Sequence, residues 1–256
     1  MSKIRPLFKN HGGKHLLADW IVSHFPPDYQ NLNYLEPYSG AAGVFFHKLP
    51  SAHTETLNDI DLGIMQIFRA LRDEPKLFIS KIKRIHYTEQ TFKRAKNRHD
   101  FEDYIDQAVN EFVLRRMSRN GDKQVFSWTE RTRGGKPSDV NAWETIADYL
   151  PEAAKRVHNQ FLLNKPALQV IKAFNNEETL IYIDPPYDPT VTKDKVEHEM
   201  TLDDHHDLAK ALNSHKAKIL ISGYESTFYK RLYKEWKCSR KSKDKKTKPE
   251  CLWRNY

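Results

Sequence analysis

The sequence predicts an α/β protein: a doubly wound, mostly parallel sheet carrying an inserted, mainly helical subdomain. Three observations predict it. The first 75 residues alternate strand-like and helical segments with short connections, the pattern of a parallel sheet with helical crossovers. Residues 76–165 are mostly helical in pattern. Strand character then returns at 179–184 and 217–222, on either side of one more amphipathic helix. The expected division is a core of 1–75 and 166–256, with 76–165 as the insertion.

Each element has its own signal. "LNYLEP" (32–37) reads as a strand running into a turn, and "AAGVFFHKL" (41–49) as a helix. "TETLNDI" (54–60) reads as a second strand, followed by the helical period of "LGIMQIFRALRD" (62–73). The middle holds one polar stretch, "RNGDKQVFSWTERTRGGKPSDV" (119–140), rich in Gly, Arg and Lys. "TLIYID" (179–184) is apolar, β-branched and aromatic, as a buried strand should be. "LDDHHDLAKALN" has acid in its first turn and apolar residues at helical spacing, and "AKILIS" (217–222) is the next strand. His205 and His206, beside Asp203 and Asp204, read as part of a solvated helix face rather than as metal ligands.

Composition narrows the class. With 256 residues and 39% hydrophobic content the chain supports one large domain, or a core with a small insertion. No apolar run reaches the roughly 20 residues that cross a bilayer, so no membrane partner is expected. The start, "MSKIRPLFKNHGGK", lacks the apolar stretch of a secretory signal. The two cysteines, Cys238 and Cys251, make no disulfide framework, and a reducing cytoplasm is the expected location. Twelve histidines occur without Cys-x-x-Cys or His-Glu-x-x-His spacing, so no metal is expected. The net charge of +8 suits an anionic partner. Arg115, Arg116, Arg119, Lys123, Arg131, Arg133 and Lys136 crowd the middle, and "RKSKDKKTK" (240–248) forms a Lys-rich tail.

The chemistry gathers at strand ends. In open α/β sheets, ligands bind beyond the carboxyl ends of the strands, where a glycine turn lets the backbone approach them. Gly40 and Gly43 follow the first strand, and Asp59 stands at the end of the second. A carboxylate there can accept hydrogen bonds from both hydroxyls of a ribose; an ordinary helix cap explains Asp59 equally well. "NHGGKHLL" (10–17) offers a glycine turn and Lys14, but it lacks the pattern of a nucleoside triphosphate loop. In "LIYIDPPYDP" (180–189), a core strand ends on Asp184, Pro185, Pro186 and Tyr187. Proline has no N–H and stiffens the chain before it. The corner therefore presents acceptors, the Asp184 carboxylate and prolyl carbonyls, suited to a group that is all donor, such as an exocyclic amine. Tyr187 adds a face on which a planar base can stack. A plain Pro-Pro turn accounts for the prolines but not for the acid and the aromatic ring beside them.

These motifs run in order: "NHGGKHLL", "LEPYSGAAGVF", "TLNDID", "DPPY", "LDDHHDLAKAL", "ILISGYES" and "LWRNY". In that order the chain resembles the adenine-specific DNA methyltransferases of bacteria and phages, in the group that includes the GATC-adenine methylases. The resemblance implies a Rossmann-like methyltransferase fold, S-adenosylmethionine as methyl donor, and the amino group of adenine in double-stranded DNA as acceptor. It assigns donor contacts to Asn10, Gly13, Lys14, Glu36, Pro37, Tyr38, Gly40, Asp59, Ile60 and Asp184. It makes Asp184, Pro185, Pro186 and Tyr187 the expected catalytic corner, with the target base flipped out and methylated by direct transfer. Sequence recognition falls to 76–165, with DNA contacts from Arg115, Arg116, Arg119, Asn120, Lys123, Trp128, Arg131, Arg133 and Lys136. A monomer or weak dimer is expected. Two departures stand out: Asn10 replaces a common aromatic, and Ala42 interrupts the usual Gly-x-Gly turn. Methylation of RNA adenine, or of a protein glutamine, is the rival chemistry; Asn usually precedes Pro-Pro-Tyr there, so Asp184 points to DNA. A catalytically inert DNA-binding protein is the rival of another class.

Overall fold

The structure is a computed structural model that describes residues 4–10, 12–101, 103–192, 198–242 and 248–256. His11 and residues 243–247 of the Lys-rich stretch therefore lie outside the described residues. In chain order the strands are β1 (Asn33–Glu36), β2 (Glu55–Asn58), β3 (Thr132–Arg133), β4 (Lys136–Pro137), β5 (Phe161–Leu163), β6 (Thr179–Ile183), β7 (Lys218–Tyr224), β8 (Lys237–Lys241) and β9 (Glu250–Arg254). The helices are α1 (Ala18–Val22), α2 (Leu62–Asp73), α3 (Pro75–Lys83), α4 (Glu89–Lys96), α5 (Tyr104–Met117), α6 (Ser138–Val157), α7 (Ala167–Ala173), α8 (Leu202–Asn213) and α9 (Thr227–Leu232).

The chain divides into two compact units. One comprises 1–19, 40–48 and 61–162; the other comprises 20–39, 49–60 and 163–256. The expected border at 75/76 gives way to this division because α2 packs on α5 and α6, which places residues 61–75 with the helices.

The second unit is built on the sheet, whose strands run β5-β2-β1-β6-β7-β9-β8. β1 pairs in parallel with β2 and β6, and β6 in parallel with β7. The order reverses beside β1, which places the carboxyl ends of β1, β2 and β6 at the switch point. All five residues of β6 are buried, as a near-continuous apolar run demands of a central parallel strand. Leu35, Ile181, Ile183, Ile219 and Ile221 pack with Leu208, Leu212, Tyr229 and Trp253 into one apolar cluster. Each such side chain withdrawn from water contributes about 1.5–3 kcal/mol. α8 starts at a capping box: Thr201 Oγ1 accepts from the Asp204 amide at 3.2 Å, and the Asp204 carboxylate accepts from the Thr201 amide at 2.8 Å.

Two expectations change here. Residues 41–49 form hydrogen-bonded turns rather than a helix. The reason lies in the backbone: Gly40 (φ 47°) and Ala42 (φ 52°) both take left-handed conformations, which a right-handed helix cannot contain. Strands also flank the Lys-rich stretch, and the first of them takes in its Arg240 and Lys241. Lys237–Lys241 and Glu250–Arg254 are antiparallel strands, β8 on the edge and β9 pairing with both β8 and β7. Lysines on an edge strand discourage pairing with other chains.

The first unit is a helical body with an aromatic core. Phe8 and Phe68 lie 6.0 Å apart, Phe78 and Phe112 5.6 Å, and Phe112 and Trp143 5.9 Å. It also carries a small hairpin, with Arg133 pairing Lys136 across the left-handed Gly134 (φ 60°) and Gly135 (φ 76°). Two left-handed central residues make the turn that matches the twist of a two-stranded ribbon.

Candidate active site

In the sheet unit, three strand ends carry the expected residues. β1 ends on Glu36, which is buried and accepts a 2.5 Å hydrogen bond from the Tyr34 hydroxyl. Pro37 and Tyr38 follow. Asn58, at the end of β2, ties this corner together. Its Nδ2 donates to the carbonyls of Pro37 (2.9 Å) and Lys165 (3.0 Å), and its Oδ1 accepts from the Lys165 amide (3.0 Å). Asn164 Nδ2 donates to the carbonyls of Asp59 (2.8 Å) and Ile60 (3.0 Å). The backbone at Asp59 is thus held in place while its carboxylate stays partly exposed. The helix-cap alternative for Asp59 falls away, since the cap of α2 is Asp61, accepting from the Ile64 amide at 3.2 Å. Ile60 is 45% exposed, an apolar side chain left facing solvent. Asn58 was visible in the sequence beside Asp59. Nothing there marked Asn164 or Lys165, because their role arises only when the chain returns alongside β2.

β6 delivers the Asp-Pro-Pro-Tyr corner. Asp184 is half-buried, with Oδ1 shielded from solvent. Burial, followed by the Asp184 charge, pushes the phenols of Tyr182 and Tyr187 well above their ordinary values. Both therefore stay protonated at neutral pH. Tyr182 shares a 2.8 Å hydrogen bond with Ser222 Oγ. Burial, with the charges of Asp204 and Asp59, likewise raises Tyr38, so the ends of β1 and β2 lie in one electrostatic neighbourhood. Beyond Tyr187, buried Asp188 accepts from the Thr190 amide (2.9 Å) and hydroxyl (2.7 Å), which closes the turn after the corner. Burial works against its charge, yet hydrogen bonds from Thr190 and Ser226 hold its carboxyl below the usual range. His205 is fully buried and bonds the Tyr229 hydroxyl at 3.2 Å through Nδ1. The solvated-face expectation holds for His206 but not for His205, which the α8 register turns inward.

The helical unit holds the other expected donor contacts. Asn10 accepts from the Gly13 amide at 3.1 Å through its carbonyl. Its side-chain Oδ1 accepts from Arg115 Nη1 at 3.1 Å. A β-carbon on Gly40 would sit 2.5 Å from Asn10 Nδ2, so a short amide opposite a glycine is what this packing admits. Gly12 is left-handed (φ 71°), and its carbonyl accepts from Lys14 Nζ at 2.7 Å. Lys14 is buried. Ala42 holds its left-handed backbone while fully buried, at a cost of about 1–2 kcal/mol that glycine would avoid.

The nine expected DNA contacts separate sharply. Arg119, Asn120, Arg131, Arg133 and Lys136 are exposed, Trp128 is 70% exposed, and Lys136 pairs with Glu144 at 2.6 Å. Arg115 is 4% exposed and pairs with Asp61 (2.5 Å) and Glu111 (2.6 Å). Lys123 joins the same network through Glu111 at 3.3 Å. Arg116 donates to the Ala142 carbonyl at 2.9 Å, and burial lowers its pKa to about 10. Arg115 thus sits inside the unit as a strut, and the expectation of a surface role for it is corrected. Helical spacing brought it there: on α5, Phe112 and Arg115 turn to the interior together.

A doubly wound, mostly parallel sheet that carries Asp59 after one strand and an Asp-Pro-Pro-Tyr corner after another has the architecture of a Rossmann-like methyltransferase. The chain belongs to the family described as D12 class N6 adenine-specific DNA methyltransferase, which matches residues 11–248. It is 23% identical over 193 residues to "Type II methyltransferase M.CviBI" of Paramecium bursaria Chlorella virus NC1A, covering 74% of this chain and 71% of that protein. It is 25% identical over 247 residues to a "DNA adenine methylase" of Haemophilus influenzae, covering 90% of this chain and 83% of that protein. The chain is accordingly an enzyme that methylates adenine in DNA. No helix among the described residues is long and apolar enough to cross a membrane.

Proposed function

We propose that the methyl donor is S-adenosylmethionine and that the acceptor is the exocyclic amine of an adenine flipped out of duplex DNA into the Asp184 corner. The observation that carries this reading is the end of β6, where a buried strand delivers a shielded carboxylate oxygen, two prolines and a protonated Tyr187.

The residues fit such a donor by their chemistry. Asp59, its backbone anchored by Asn164, offers a carboxylate to ribose hydroxyls, and Ile60 an apolar edge to a purine. Gly12, Gly13 and Lys14 form a tight turn with an ammonium group suited to the carboxylate of the amino-acid portion. When bound, S-adenosylmethionine supplies a methyl group on a positively charged sulfur. Asp184 and the Pro185 carbonyl accept hydrogen bonds from the adenine amine, draw its lone pair out of conjugation and aim it. Asp184 also stabilises the positive charge that develops on the nitrogen, as a preorganised charge already in place before reaction. Stacking on Tyr187, worth roughly 1–3 kcal/mol, offsets part of the few kcal/mol needed to extrude a base.

Sequence recognition is assigned to the exposed members of the basic set. Arg131, Arg133 and Lys136 lie on or beside the β3–β4 hairpin, and Trp128, Arg119 and Asn120 precede it. A two-stranded ribbon with Arg133 and Lys136 flanking its tip is narrow enough to enter a major groove.

Two measurements test the proposal. Incubated with labelled S-adenosylmethionine, the purified protein is expected to place label on adenine of unmethylated duplex DNA, and far less on RNA. Label on RNA alone, or on no base at all, removes the reading. Arg131→Gln combined with Arg133→Gln is expected to lower the salt slope of DNA binding by about two and to broaden the methylated sequences. An unchanged slope and pattern exclude the hairpin as the reader.

A further inference from the structure

We propose that Glu250, on β9, is a positioning residue for base capture: it fixes the ring of Tyr187 at the angle a flipped adenine meets. The inference rests on the reading of Tyr187 as the stacking face. The Tyr187 hydroxyl donates to Glu250 Oε1, although the two residues stand 63 positions apart in the chain. The Tyr187 ring also packs edge-on against Tyr224, with centroids 4.9 Å apart and planes at 83°. Tyr224 and Glu250 face each other directly across the antiparallel β7–β9 pair. One cross-strand pair therefore holds the Tyr187 ring at its rim and at its tip.

The arrangement answers a specific need. Pro185 and Pro186 stiffen the backbone before Tyr187, but a tyrosine ring still turns about its two side-chain torsions. A freely turning ring must be ordered by the base it receives, which weakens capture; a ring already fixed is not. Glu250 is 8% exposed on a strand whose next three residues are buried. An apolar residue of similar volume usually serves such a position as well or better. The phenol remains a donor at working pH, because burial and the nearby charges of Asp184 and Glu250 raise it well above its ordinary value.

The test uses the full-length protein and its mapped target in two duplexes: one with the target adenine paired, one with an abasic site opposite it. Removing the partner base lowers the extrusion cost, so a defect in base capture shrinks there, while a general structural defect does not. Glu250→Ala is expected to lower transfer at sub-saturating paired DNA roughly fivefold, the worth of one hydrogen bond. On the abasic duplex the loss is expected to be less than about twofold by the same argument. Glu250→Gln, whose amide oxygen still accepts from a phenol, recovers most of the loss. Tyr187→Phe reports on the same bond from its other end and decides the matter should Glu250→Ala not fold. It is expected to show the same duplex dependence, and the double variant no further loss. Equal losses on both duplexes, or additive losses in the double variant, overturn the proposal. Tyr187→Ala separates the two readings. If it transfers normally, the stacking role itself fails; if it is impaired on the paired duplex while Glu250→Ala matches the wild type, only Glu250 is excluded.

Discussion

Replacing Asp184 with alanine is expected to lower methyl transfer at least a hundredfold, and by roughly a thousandfold if the carboxylate is the main charge stabiliser. The size follows from its place. Asp184 stands at the end of a fully buried strand, one oxygen is shielded from water, and its charge is felt by Tyr182 and Tyr187. A fixed charge partly shielded from water acts on the reacting amine more strongly than it could in bulk solvent. The substitution trims a loop side chain rather than the apolar cluster, so the protein should fold and bind DNA as before, and saturating donor keeps any lost donor contact out of the measured rate. Asp184→Asn separates charge from shape: it keeps one acceptor oxygen and loses the negative charge, and is expected to fall between wild type and alanine. The measurement is the single-turnover rate at saturating donor and DNA, with calorimetric donor binding as control. An alanine variant within tenfold of the wild-type rate would take Asp184 out of the chemistry.

The second large effect is on stability. Arg115→Ala is expected to destabilise the helical unit by about 3–5 kcal/mol, the usual cost of removing one member of a buried ion pair. Arg115 at 4% exposure ties together Asp61, Glu111 and Asn10, and its loss leaves two carboxylates without their main counter-charge. The exposed Arg133 provides the comparison: its replacement should change stability by less than about 0.5 kcal/mol and act on DNA binding instead. Denaturant unfolding of both variants measures the contrast; equal and small effects would refute the strut. The network also sets a pH dependence. Burial works to raise the Asp61 carboxyl, but Arg115 and then Lys123 outweigh it and hold the group below its ordinary value. A carboxyl lowered in the folded state adds stability above its unfolded pKa of about 3.9, and that stability is lost as pH falls through the folded value. The stability gap between wild type and Asp61→Asn should therefore be full at neutral pH and close as the solution is acidified below pH ~4. A constant gap would show that Asp61 is not held ionised.

Where local signals were strong, the reading from sequence survived. "LGIMQIFRALRD" is α2 to the residue, "LDDHHDLAKALN" is α8, and the run before Asp184 is β6. In each, the period of apolar residues and the capping chemistry agree with the buried face. Apart from residues 41–49, the errors share one cause: the deciding contact lies far away in the chain. Residues 41–49 have a helical composition, but Ala42 is forced left-handed in its buried turn. His205 and Arg115 look solvated by type, yet helix register carries both into interiors where Tyr229, Asp61 and Glu111 receive them. The strand β8 was missed because an edge strand that runs into a lysine-rich stretch resembles a tail until its partner is known.

The sequence alone determined the α/β class, the Asp-Pro-Pro-Tyr corner and the carboxylate at the end of the second strand, since periodicity, proline and glycine act over a few residues. Tertiary structure decided which cations reach the surface, which asparagines anchor the strand ends and that Glu250 meets Tyr187. Those outcomes depend on burial and on bonds between residues tens of positions apart, and no local pattern encodes them.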